Sequence, residues 1–338
     1  MRRPIRFPRE GAPLLDIFCA ARARPPGSIQ FTPAQIEQIL RTVRRTPEVM
    51  VKVTGGGTRR RAVAAHLSYI GRNGKLEIET DEGQRIAKAD QKSLLDDWHL
   101  ELSPGQYRKA KDDKPPPRAV KLTRNITLSM PKPTPPDKVL AAARAFARER
   151  FGAKHRYALV LHTDQKHPHV HLVVKAEGLD GRRLHIDKAM LREWREDFAR
   201  MMREQGVAAN ATPRVVRGRN KGGPKDPVYR MEPSKSRALR ARAESVIREL
   251  WETRTIKDPA RATLLRTREA VVAGWQSVAA ALDAQGEIVL AGDVRYFVQN
   301  LSPVRTDRER LAQDYIRHAR TQTKGEDAER DRRIERSR

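Results

Sequence analysis

Residues 157–175 read YALVLHTDQKHPHVHLVVK, and the fold turns on how they are parsed. Tyr157–His162 is an apolar, branched run ending in a histidine; Val170–Lys175 is a second such run, and the residues between them are polar. Two strand-like runs on either side of a short polar turn are antiparallel neighbours. Upstream of this pair, NITLSM (125–130) reads as a further strand and Pro136–Phe151 as an Ala-rich amphipathic helix. Downstream, Asp187 is placed to cap a helix running to about Gln205. Nearer the N-terminus, VMVKVT (49–54) is β-rich and stops at Gly55-Gly56-Gly57, a turn. Thr58 is placed to cap the next helix, on which Val63, Ala64, Leu67 and Ile70 recur at helical spacing. KLEIET (75–80) alternates as a short strand, and residues 93–102 read as a helix. The order β-α-β, an insertion, then β-α-β-β-α predicts an α+β fold, an antiparallel central sheet flanked by helices.

The 338 residues carry 69 Lys and Arg against 42 Asp and Glu, a net charge of +27. An excess of that size points to a polyanionic partner, nucleic acid before an acidic membrane surface. Hydrophobic residues at 38% support one modest core rather than a chain packed throughout. The single cysteine, Cys19, excludes a disulfide framework and a Cys-based zinc finger. No apolar run approaches the roughly 18 residues of a membrane span, and the basic, proline-punctuated start has no signal-peptide apolar stretch. These features predict a soluble protein of a reducing, cytoplasmic compartment with no stable membrane insertion.

Residues 1–46 read as a basic N-terminal arm with one helix, AQIEQILRTV, capped by Thr32 and opened by Pro33. Residues 103–124 form a basic loop. Residues 214–242, with ten basic and two acidic side chains, read as a basic linker. Residues 243–338 are mostly helical by pattern and end in TKGEDAERDRRIERSR, which reads as a disordered Arg-rich tail.

Five groups able to bind a metal or relay protons fall within ten residues: His162, Asp164, His167, His169 and His171. On a strand, His169 and His171 point to one face and Val170 to the other. His162 ends the preceding strand, so the hairpin brings its imidazole beside that pair. Three converging imidazoles with an open coordination position suit a catalytic divalent metal. Asp164 is placed to orient a histidine or to touch the ion.

The segment HTDQKHPHVH (162–171) resembles the third motif of relaxases, the mobilisation nucleases of the wider His-hydrophobic-His endonuclease class. Two more segments resemble relaxase motifs in the expected order. GGGTRRRAVAAHLSYIGRNGKLEIE (55–79) is similar to the nucleophile motif, especially in the T-DNA border endonuclease branch, with Tyr69 in the tyrosine position. NITLSMP (125–131) is similar to the second motif, with Ser129 in its serine position. The resemblance spans about residues 49–220 and makes residues 47–213 a relaxase domain. Some relatives in that branch carry an acidic residue where this chain has Lys166. The resemblance implies site- and strand-specific nicking and rejoining of single-stranded DNA at the transfer origin of a plasmid or integrative element. It further implies a 5′-phosphotyrosyl intermediate on Tyr69 and a divalent ion, Mg2+ or Mn2+, on His162, His169 and His171, with His162 and Asp164 acting in catalysis. The implied partners are relaxosome accessory proteins and a type IV coupling protein and secretion system, with export into a recipient cell alongside the DNA.

The chemistry agrees. An enzyme that must later reseal the strand keeps the bond energy in a covalent link to a protein nucleophile. A tyrosine, with an unperturbed pKa of about 10, needs a base or a positive field to attack, and a His/metal site supplies that field. Of the six tyrosines, Tyr107, Tyr157, Tyr229, Tyr296 and Tyr315 fall in loops, the core or the C-terminal region; Tyr69 alone follows the first strand and its glycine turn. Ser129 ends a strand beside the site, placed to bond the scissile phosphate or the flanking backbone. Arg59, Arg60 and Arg61 are placed to hold DNA, and His167, extended before Pro168, to touch the DNA or Tyr69. His66 reads as solvent-facing, and Trp98, Trp194 and Phe198 as core. The glycine triplet lacks the Lys-Ser/Thr of a P-loop. The competing readings are a rolling-circle replication initiator or transposase with the same chemistry, and a non-catalytic basic DNA-binding accessory protein. Replication initiators commonly place their tyrosine after the histidine pair, whereas Tyr69 precedes it.

Overall fold

A computed structural model of the chain describes residues 5–6, 29–100, 120–165, 167–219 and 237–317. After a short parallel pair of strands, Ile5–Arg6 with Ile29–Gln30, come α1 (Pro33–Val43), β1 (Met50–Gly55) and α2 (Arg60–Ile70). Next come β2 (Ile78–Thr80), β3 (Arg85–Ile86), α3 (Gln91–Asp97) and β4 (Thr123–Ser129). Then follow α4 (Pro136–Phe151), β5 (Tyr157–His162), β6 (His169–Lys175) and α5 (Lys188–Glu204). Three helices follow, α6 (Arg237–Thr253), α7 (Ala260–Gln285) and α8 (Ile288–Gln299), with residues 307–317 helical beyond them. The chain divides into two compact units, Arg45–Ala211 and a second formed by Met1–Arg44 with Thr212–Arg338.

In the first unit the six strands form one sheet in the order β1-β4-β6-β5-β2-β3, with every neighbour antiparallel. The fold is therefore α+β. The two-residue period of the strands sends alternate side chains to opposite layers. Val51, Ile126, Leu128, Leu159, Val170, Leu172 and Val174 face α4 and α5, where Phe146, Trp194 and Phe198 fill the space between layers. Ala158, Val160 and Val173 face the other way, against Val63, Leu67 and Ile70 of α2 and against Trp98. A fully buried side chain of this size contributes roughly 1.5–3 kcal/mol, so α2 is held firmly against one end of the sheet.

Several boundaries depart from the sequence reading. The residue preceding α2 is Arg59, with no side-chain capping bond, rather than Thr58. The turn is tied to the sheet instead: Gly57 donates its N–H to Thr123 Oγ1, and its carbonyl accepts from Leu122 N. Any side chain at Gly56 would drive its Cβ to 1.9 Å from the Thr123 carbonyl oxygen, which explains a glycine there without a phosphate. Strand β4 begins at Thr123, two residues early, because it pairs with β6 along its whole length to Lys175. Helix α3 stops at Asp97, short of residue 102: Trp98 turns into the core and His99 takes φ +41°. Most of the basic loop, residues 101–119, lies outside the described residues, as do Lys166 and residues 318–338.

The second unit has its own core, in which Ile29, Phe31, Ile39 and Val43 meet Val216, Trp275, Leu282, Val294 and Phe297. Thr32 caps α1 in a capping box with Gln35. The Gln285 side chain bridges both backbone groups of Phe31, and Trp275 Nε1 donates to the Val216 carbonyl at 2.8 Å. The stretch with the composition of an arm thus contributes a packed helix to the same core as α7 and α8. No helix among the described residues is long and apolar enough to cross a membrane.

Candidate active site

The register of the sheet sets out the site as two cross-strand rows on the α2 side. The first runs Met50, Ser129, His169, His162 from β1 through β4 and β6 to β5; the second runs Lys52, Thr127, His171, Val160. Residues directly opposite on neighbouring strands share a face, so the three histidines meet. Their ring centroids lie 4.6 Å (His162–His171), 5.0 Å (His169–His171) and 5.1 Å (His162–His169) apart.

Backbone carbonyls set which nitrogen two of the three rings present. A carbonyl only accepts, so His162 donates from Nε2 to the Ile70 carbonyl at 2.6 Å and keeps its lone pair on Nδ1. His169 donates from Nδ1 to the His167 carbonyl at 3.0 Å and keeps its lone pair on Nε2. His171 makes no hydrogen bond among the described residues. Burial, reinforced by the neighbouring His162, His169, His66 and Arg72, pushes its pKa down to about 3; burial also lowers that of His162. One ligand atom from each ring converges within 4.8 Å of the others. Three desolvated nitrogens, two of them held in position by backbone carbonyls, fit a divalent ion that keeps open positions.

Tyr69 lies on the last turn of α2, 54% exposed. His66, one turn earlier, stacks against it at 6.3 Å and meets His171 edge-on at 6.4 Å, so an unbroken line of rings joins tyrosine to triad. Beyond α2 the chain doubles back: Arg72, Asn73 and Gly74 all have positive φ (50°, 57° and 96°). For the two non-glycines this costs about 1–2 kcal/mol each. The turn lays the Arg72 guanidinium over the Tyr69 ring at 5.6 Å. Arg72 Nη2 also donates to His162 Nδ1 at 3.2 Å and to Asp164 Oδ2. Tyr69, Arg72, Asn73, Lys75 and Asp164 wall an open cleft of about 710 Å³, a size that takes a nucleotide.

Residues 95–207 match the family model described as "Relaxase: MobA/VirD2-like, nuclease domain". The chain is 30% identical over 196 residues to T-DNA border endonuclease VirD2 of Rhizobium radiobacter, across 51% of this chain and 43% of that protein. It is 32% identical over 147 residues to the protein of the same name from Rhizobium rhizogenes, across 40% of this chain and 32% of that protein. The chain thus spans under half the length of these relatives. A solved structure described as "Molecular Basis of Vancomycin Resistance Transfer in Staphylococcus aureus" aligns with 49% of this chain and 98% of its own, at 14% identity and a TM-score of 0.30, too low to carry weight.

Within the first unit the residues singled out from the sequence take these places. His162, His169, His171 and Ser129 come together; Ser129 is buried opposite His169. Asp164 sits 3.9 Å from His162 Nδ1, beyond hydrogen-bond reach, with Arg72 as its partner. The His167 side chain accepts from the Lys132 N–H at 3.4 Å, and its carbonyl orients His169. Arg59 and Arg61 are exposed at the start of α2, two to three turns and about 12–15 Å along the axis from Tyr69. Arg60 is turned toward α3, paired with Asp96. His66 is half-buried rather than solvent-facing: its Nε2 is buried without a partner, and burial lowers its pKa. The i, i+3 spacing from Tyr69 was the signal for it. Thr127, two residues before Ser129 on the same face, and Arg72 were also missed; the Thr127 hydroxyl is buried without a partner.

The burial of His171 gives stability a contribution that depends on pH. Below pH 6.5, the ordinary histidine value, the unfolded chain gains protons that folded His171 refuses until about pH 3. This contribution to stability is therefore complete above pH 6.5 and is lost as pH falls toward 3. His171→Gln should flatten the acid limb of urea denaturation measured with chelator between about pH 7.5 and 4.5; an unchanged limb would assign acid sensitivity elsewhere.

Proposed function

We propose that this chain nicks and rejoins single-stranded DNA at a transfer origin, with Tyr69 as nucleophile and His162, His169 and His171 as ligands of a divalent ion. The observation that carries the reading is the continuous contact from Tyr69 through His66 to a three-histidine cluster at one end of one sheet face. A divalent ion held by the three rings, Mn2+ more strongly than Mg2+ given their all-nitrogen donor set, would neutralise charge growing on the phosphate's non-bridging oxygens.

The chain's own residues do the rest. Tyr69 Oη attacks the phosphorus, the phenol gives up its proton, and the P–O3′ bond breaks to leave a free 3′-hydroxyl and a 5′-phosphotyrosine. Rejoining is the reverse attack by a 3′-hydroxyl, which conserves the bond energy. Ser129 and Thr127 offer hydroxyls to the flanking backbone from the row beside the triad, and Lys52, exposed on the edge strand, offers a cation. Arg59 and Arg61 hold a nucleotide further along the strand than the one attacked. Incubation with a single-stranded origin oligonucleotide and Mn2+, followed by a denaturing gel, tests the assignment: a metal-dependent covalent adduct supports it, and its absence opposes it.

The wider role we propose is that of a conjugative relaxase: cytoplasmic in the donor, assisted by accessory proteins, delivered to a type IV coupling protein and exported with its DNA. The net charge of +27 and the VirD2 similarity support it. The arginines Arg330, Arg332, Arg333, Arg336 and Arg338, outside the described residues, are the proposed export signal. Residues 45–211 contain both faces of the sheet with their helices, so a fragment of those residues should fold and still form the adduct. Its DNA affinity should fall and its salt dependence flatten by roughly one unit of slope per lost phosphate contact. A fragment that folds yet makes no adduct would place an essential group in the second unit.

A further inference from the structure

Arg72 is the least expected member of the site, and its contacts conflict with metal binding. His162 has two nitrogens. Nε2 is committed to the Ile70 carbonyl at 2.6 Å, so Nδ1 is the only lone pair the ring offers. That lone pair already receives Arg72 Nη2 at 3.2 Å. A guanidinium proton and a divalent ion cannot share one imidazole lone pair, and two cations at that spacing repel. Asp164 holds the same Nη2, so an Arg72 that leaves His162 is tethered rather than lost. Arg72 Nε is buried without a hydrogen-bond partner, while the face of the guanidinium lies over Tyr69. A buried, unpartnered charged donor beside the nucleophile lacks an acceptor that a phosphate oxygen would supply.

Resting on the metal-centre reading above, we propose that Arg72 and the divalent ion compete for Nδ1 of His162, and that the displaced guanidinium serves the DNA phosphate at Tyr69. Arg72 is then a positioning residue that couples ion loading to substrate readiness. The backbone supports this role. The residues at 72–74 hold positive φ, and Ser68 Oγ donates to Asn73 Oδ1 at 3.1 Å, so the turn returns Arg72 over the helix end it has just left.

The test is calorimetric titration of Mn2+ into the full chain as wild type, Arg72→Leu and Arg72→Lys. Arg72→Leu should bind Mn2+ about tenfold more tightly, because the charged donor on Nδ1 is gone. Arg72→Lys, which keeps the charge without the planar fork, should fall between. Both should form less covalent adduct at saturating Mn2+. Freed Asp164 could itself attract the ion, so Arg72→Leu is repeated on an Asp164→Asn background, where the tightening should persist. Equal or weaker Mn2+ binding in Arg72→Leu, or tightening that vanishes on that background, overturns the proposal. If the variants fail to fold, arginine side-chain NMR of the wild type decides: addition of Mg2+ should shift the Arg72 resonances, and unshifted resonances with the histidines occupied overturn it. A flat titration in the wild type refutes the metal centre itself and this proposal with it, and is readily told from equal affinities.

Discussion

Tyr69→Phe is expected to abolish strand cleavage and the covalent adduct while leaving single-stranded DNA affinity within a few fold. The lost oxygen is the attacking atom, so the rate should fall by roughly 10⁴–10⁶-fold, the scale on which removal of a nucleophile acts. The fold should be indifferent. The ring is 54% exposed and touches its neighbours through its faces, against His66 at 6.3 Å and Arg72 at 5.6 Å, contacts that phenylalanine retains. A denaturing gel against labelled oligonucleotide reads the outcome. An adduct that persists in Tyr69→Phe moves the nucleophile to another tyrosine.

His169→Ala and His171→Ala should each weaken Mn2+ binding by at least 10–100-fold and stop cleavage, since loss of one of three ligands exceeds the usual cost of losing a ligand's supporting partner. His171 is kept neutral by burial, so its removal subtracts a ligand without altering net charge. Asp164→Ala should be milder, because that carboxylate holds Arg72 and stands 3.9 Å from His162. Unchanged Mn2+ affinity by calorimetry in both histidine variants would sink the metal assignment.

The sheet was legible because its signals are local. Helix α4 and strand β5 have the boundaries read from periodicity, and α5 is capped by Asp187 as expected. The histidine cluster was legible for the same reason, since a two-residue period and one hairpin determine which rings meet. Arg72 was not, because what places it is a run of positive φ angles following a helix, and no hydrophobic pattern encodes that. His66 looked solvent-facing because helical periodicity alone does not say how far a neighbouring strand extends; β6 brings His171 up to it. Residues 1–46 and 214–242 were read from charge as arm and linker. Charge is a property of surfaces, and it concealed the few apolar residues, Ile39, Val43 and Val216, that join a core built from distant segments.

The hydrogen bond from His162 to the Ile70 carbonyl also bears on how this domain can change over evolution. The last carbonyls of a helix have no partner within it, and here one of them is the stop against which a metal-facing ring rests. Inserting or deleting one residue within Arg60–Ile70 would rotate the C-terminal turn by about 100°. That single event would carry away both the tyrosine and the acceptor that fixes the ring. Length variation in this segment is therefore penalised twice over. Descendants of such a domain should keep the count from the glycine turn to the tyrosine fixed.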